Sequence, residues 1–147
     1  MIPEYAIIHH SLTADSKTVS WSAIRDWHTG ENPDSPLKWQ DIGYHYGIEL
    51  VGDHYEVLVG RPEDVQGAHC QGMNGKSIGI CFVGNFDQGP PCDAMMKRAV
   101  SVFAPIIYRL HIPWENVQPH SKYSGKTCPG KLFPMDAFVR MLHNHMR

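Results

Sequence analysis

Apolar residues along the chain come in short bursts broken by polar turns, the rhythm of strands interleaved with a few helices. Tyr5-Ala6-Ile7-Ile8 is a continuous β-prone run ending in His9-His10, which predicts a strand buried on both faces that delivers polar groups at its end. Alternation sends His9 and His10 to opposite faces. Trp21, Ile24 and Trp27 or His28 recur at helical spacing, with Thr18 as N-cap and Gly30 as stop, predicting a helix to about His28 that covers one sheet face. Trp21 and Trp27 read as core aromatics of that helix. Tyr44–Leu50 and His54–Gly60 flank Val51-Gly52-Asp53 and predict a hairpin, with Tyr44 and Tyr46 on one strand face and His45 turned away.

Ser77 to Val83 is apolar throughout and reads as a central strand. Asp93 caps a helix to about Leu110, carrying Met96, Val100, Phe103 and Ile107 on one side, and Pro105 should kink or divide it. A short strand near Asn116–Gln118 follows. Pro134 then opens a last helix whose stripe is Phe138, Met141, Leu142 and His145. The expected class is α/β, a central mixed β-sheet flanked by helices. Three segments read as loops: 31–41, 61–76 and 120–131. Loops at element ends are where binding and catalytic groups concentrate.

With 147 residues the chain fits one domain, 1–147. The 13 glycines and 11 prolines favour turns and loops over a bundle. Thirteen basic and 15 acidic residues give a net charge of −2, which lacks the footprint of a nucleic-acid binder. No apolar run nears the ~20 residues needed to cross a bilayer, and no basic and apolar leader opens the chain. No membrane insertion is expected, and synthesis is expected to be cytoplasmic without a signal peptide. Cys70, Cys81, Cys92 and Cys128 contain no C-x-x-C pair and read as thiols. Gly75-Lys76-Ser77 is not a phosphate loop, since that motif needs glycine where Cys70 stands.

Ten histidines make metal binding worth testing. His9-His10, His120 and Cys128 lie at three element ends. A lone histidine or cysteine is more often structural, but two imidazoles and a thiolate make a catalytic zinc set that leaves room for water. Such a centre polarises a carbonyl and suits hydrolysis.

The segments Ile7-Ile8-His9-His10-Ser11, Val19 to His28, Asp41-Ile42-Gly43-Tyr44-His45-Tyr46, Gly67-Ala68-His69, Asn74 with Ser77-Ile78-Gly79-Ile80, and His120 through Lys126-Thr127-Cys128-Pro129-Gly130 agree in order and spacing with one known pattern. Together they resemble the zinc-dependent N-acetylmuramoyl-L-alanine amidases of the type 2 family, above all its phage endolysins, and the related peptidoglycan recognition proteins. The resemblance covers most of the chain. It implies one Zn2+ held by His9, His120 and Cys128, with His10 a neighbour and not a ligand. It implies catalytic roles for Tyr44 and Lys126, and substrate contacts for His69 and Asn74. The substrate would be peptidoglycan or a muropeptide, cut between the muramyl lactyl group and L-alanine.

The alternatives are a non-catalytic peptidoglycan-binding module, a bacterial muropeptide-recycling amidase, and a metal-free cysteine hydrolase using Cys128 with His120. Retention of all three ligand positions with Tyr44 and Lys126 favours the zinc enzyme. A monomer is expected, reaching the wall through another lysis component. Some phage members also bind and inhibit a phage RNA polymerase, and no feature of this chain supports that partner.

Overall fold

The computed structural model describes residues 1–13 and 20–147. Five strands form one mixed sheet: β1 (Tyr5–His10), β2 (Tyr46–Val51), β3 (His54–Val59), β4 (Ser77–Phe82) and β5 (Val117–Pro119), in the order β3-β2-β4-β1-β5. β2 and β3 are antiparallel, while β2–β4, β4–β1 and β1–β5 run parallel. The helices are α1 (Trp21–Thr29), α2 (Asp93–Arg109) and α3 (Met135–His145). The mixed sheet with flanking helices is the architecture the sequence predicts. None of the described helices is long and apolar enough to cross a membrane.

The two faces of the sheet have different jobs. Ala6, Ile8, Ile48, Ile78, Ile80 and Phe82 point to one side, where α2 and α3 bury Phe103, Ile107, Phe138 and Leu142 against them. The other face carries Ile7 and His9 of β1, Gly79 and Cys81 of β4, and Gly47 of β2, paired as Ile7↔Gly79, His9↔Cys81 and Gly47↔Cys81. Glycine thins this face so that rings can lie directly on the strands. A Cβ on Gly47 would come within 2.3 Å of the Trp21 ring, and one on Gly79 within 2.6 Å of the His69 ring.

Several boundaries differ from expectation. Thr18 lies outside the described residues; the N-cap of α1 is Ser20, whose hydroxyl accepts from the Ala23 N–H at 3.2 Å, and Gly30 ends the helix at φ +80° as expected. Trp27 is not a core aromatic: it is 42% exposed, because α1 rests on β2 through Trp21 and turns Trp27 outward. Asp93 begins α2 and Cys92 is its cap position. Pro105 does not divide α2, since it sits on the exposed side with Ser101 one turn earlier, where water can take the carbonyl left without a donor. His145 is exposed in the last turn of α3. The strand after residue 116 starts at Val117, behind a single 3₁₀ turn over Trp114–Asn116. The hairpin forms across Gly52-Asp53, with Gly52 at φ +65°.

Tyr44 and Tyr46 do not share a face. β2 begins only at Tyr46, so period-two alternation does not extend back to Tyr44. Tyr46 packs on Phe103 on the helix side and donates its hydroxyl proton to Glu63, while Tyr44 turns toward His9 on the opposite side.

Candidate metal centre

Parallel pairing of β1 with β5 places Ile8 beside Pro119, so His9 and His120 leave neighbouring strands side by side, with ring centroids 4.6 Å apart. Cys128 returns to the same point on the loop after β5. The Ser121 N–H donates to the Cys128 carbonyl at 2.7 Å and closes that loop. Asp87, just beyond β4, accepts from Thr127 Oγ1 at 2.9 Å and from the Lys131 N–H at 2.8 Å. Gly130 lets the loop lie against Phe86: its φ is +118°, and a Cβ there would sit 2.4 Å from the Phe86 carbonyl carbon.

One ligand atom from each of His9, His120 and Cys128 lies within 4.8 Å of the others, and His9 Nδ1 is 3.7 Å from Cys128 Sγ. Tetrahedral zinc with its usual bond lengths separates a nitrogen from a sulfur ligand by about 3.6 Å. The donor set therefore fits zinc in both chemistry and spacing. Burial, helped by His69 and His120, holds the His9 pKa well below the ordinary range, and burial followed by the Lys126 charge lowers that of His120. Both imidazoles are neutral at pH 7, as ligation needs. Burial pushes the Cys128 thiol up to about 11. His10 points the other way, and its Nδ1 accepts from the Phe86 N–H at 3.1 Å.

Tyr44 is half-buried with its ring 5.1 Å from that of His9. Burial first, then Cys81 and Cys128, raise its hydroxyl well above the ordinary phenol range. Lys126 is exposed on the wall of a cavity of about 680 Å³ that also takes in His9, His120, Cys128 and Tyr44. His69 and Asn74 line the same cavity. The Asn74 Oδ1 accepts from the N–H groups of both His69 and Cys70 at 2.8 Å, so Asn74 also braces its own loop. His45 also precedes β2, so alternation does not place it; its ring lies 5.8 Å from that of His69, and, fully buried, it accepts from the Gly79 N–H at 3.0 Å through Nδ1, while Nε2 lies 2.7 Å from the Val65 carbonyl.

Three contributors were not visible in the sequence. His28 accepts from the Gly43 N–H at 2.9 Å and packs against Trp39 with the rings tilted at 47°, fixing the segment that presents Tyr44. Cys81 lies beneath Tyr44 as the register partner of His9. Asp87 anchors the ligand loop. Its position just past the end of a parallel strand was the available signal, because ligands gather at that edge of α/β sheets.

A family model described as N-acetylmuramoyl-L-alanine amidase matches residues 1–131. The endolysin of Enterobacteria phage K11 is 30% identical over 136 residues, covering 90% of this chain and 83% of that protein. The amidase LysC from Clostridium intestinale URNW superposes with a TM-score of 0.79 at 24% identity, over 97% of this chain and 86% of that one, and so shares the fold. Drosophila PGRP-LB superposes with a TM-score of 0.70 at 28% identity, over 90% of this chain and 78% of its own.

Proposed function

The chain belongs to the N-acetylmuramoyl-L-alanine amidase family, and from that membership we propose a zinc-dependent, phage-type endolysin that hydrolyses the amide between the muramyl lactyl group and L-alanine. The observation that carries the reading is the convergence of His9, His120 and Cys128 on one point at the base of the cavity. A zinc ion held there supplies Lewis acidity toward the amide carbonyl and brings the pKa of water toward ~7.

The chain's own groups supply the rest. Tyr44 keeps its proton, so its hydroxyl donates a hydrogen bond that orients the attacking water and can pass a proton toward the leaving amine. Lys126 brings a positive charge to the mouth of the cavity, where it meets the negative charge that grows on the lactyl carbonyl oxygen. Asn74 is the proposed contact for stem peptide or muramyl groups. His69 lines the same wall and is the second proposed contact; with both ring nitrogens turned to protein groups, it meets substrate by van der Waals contact alone. A metal-free cysteine nucleophile is the poorer reading, because its thiol would need a lowered pKa and burial raises that of Cys128.

The test is digestion of intact sacculi and of soluble muropeptides, with mass identification of the new termini. Free L-alanine amino groups that vanish with chelator and return with added zinc are expected. Cleavage of the glycan, or activity lost to thiol alkylation but not to chelator, would overturn the reading.

A further inference from the structure

We infer that His69 is a positioning residue for His9, accepting the Nε2–H of His9 and thereby committing its Nδ1 lone pair to the metal; this rests on the zinc-amidase reading. His9 Nε2 and His69 Nδ1 are 2.9 Å apart, with the rings edge to face at 88°. A neutral imidazole has one N–H and one lone pair, so whichever nitrogen of His9 donates, the other accepts. His9 Nδ1 faces Cys128 Sγ. If Nδ1 is to hold an ion, the proton belongs on Nε2 and His69 receives it at Nδ1.

The next contacts fit that direction and not its reverse. With Nδ1 accepting, His69 carries its own proton on Nε2, which lies 3.4 Å from Ser77 Oγ. Ser77 has already given its hydroxyl proton to the Met73 carbonyl at 2.7 Å, so the Oγ offers a lone pair toward His69. Every donor in the chain His9–His69–Ser77–Met73 then meets an acceptor. Reversed, His69 Nε2 would present a lone pair to an oxygen whose proton is spent, a costly arrangement for buried groups.

The ring is also seated rather than incidentally near. A Cβ on Gly79 would fall 2.6 Å from His69 Cγ and one on Gly67 2.7 Å from Cδ2, so two glycines open the slot the ring fills. Asn74 fixes the His69 backbone from the other side. A partner on the outer nitrogen of a ligating histidine sets both its tautomer and its orientation.

The test compares wild type with His69→Ala and His69→Asn, whose Oδ1 reproduces the acceptor near Nδ1. Zinc affinity is measured by competition with a chromogenic chelator, and imidazole 15N–1H spectra of the zinc-loaded wild type report the tautomers. Expected are Nε2–H forms of both His9 and His69, affinity about 10–100-fold weaker in His69→Ala, and most of it regained in His69→Asn. Unchanged affinity in a folded His69→Ala chain, or an Nδ1–H form of His69, overturns the inference. Should His69→Ala not fold, the wild-type spectra and the asparagine variant decide it. A wild type that takes up no zinc at all overturns the underlying zinc reading instead, and that is read before any variant is compared.

Discussion

The backbone N–H of His10 points at Sγ of Cys128 across 3.4 Å, so the residue after one proposed ligand donates to the sulfur of another. This contact favours a thiolate once an ion is present. Cys128→Ser should leave the chain folded but lower its zinc content well below one per chain, because a neutral hydroxyl is a poor replacement for a soft anion. Metal analysis after gel filtration checks this.

Tyr44→Phe and Lys126→Ala should behave differently. Neither side chain belongs to the donor set, so zinc should stay bound while turnover on muropeptides falls about 10²–10³-fold, the usual cost of losing one preorganised donor. Near-normal turnover in both variants would remove these residues from the mechanism.

His28 gives an acid limit to stability. Burial, then the Arg61 charge, hold its pKa down at about 4, and its Nδ1 must be unprotonated to accept from Gly43. The unfolded chain therefore binds this proton more readily than the folded one between about pH 6.5 and 4, and stability is lost as pH falls through that window. His28→Asn keeps an acceptor near the same place without titrating. Its melting temperature should fall less over the same range, as measured by circular dichroism in the metal-free protein.

Two glycines of one loop should answer alanine in opposite ways. Gly130→Ala places a Cβ against the Phe86 backbone at a positive φ and should cost at least about 1 kcal/mol, weakening zinc binding by moving Cys128. Gly125 has nothing within 4 Å of a Cβ, so Gly125→Ala should change stability by no more than about 0.5 kcal/mol. Urea titrations of the two variants provide the comparison.

Much of this fold and site was legible because the sequence concentrates its signals at strand ends. Tyr5 to Ile8 marks β1 by its apolar run, and the two histidines that follow announce a site at its end. Short strands and terminal glycines likewise gave the hairpin and the stop of α1. Face assignment failed at Tyr44, where alternation was extended into irregular backbone, and at Trp27, where helical spacing could not say which stripe meets the sheet. The partners of the proposed ligands were hidden for another reason. His69, Asp87 and His28 act through contacts between residues 15 to 60 positions apart, which no local pattern encodes.

His9 and Cys128 stand 119 positions apart, near opposite ends of the polypeptide. An ion gripped by both is then a staple closing nearly the whole chain into a ring. The denatured ensemble cannot easily form that ring, since holding such distant points together costs it loop-closure entropy. Occupancy would thus reward only the finished fold, and stripping the metal would loosen the first strand and the return loop together.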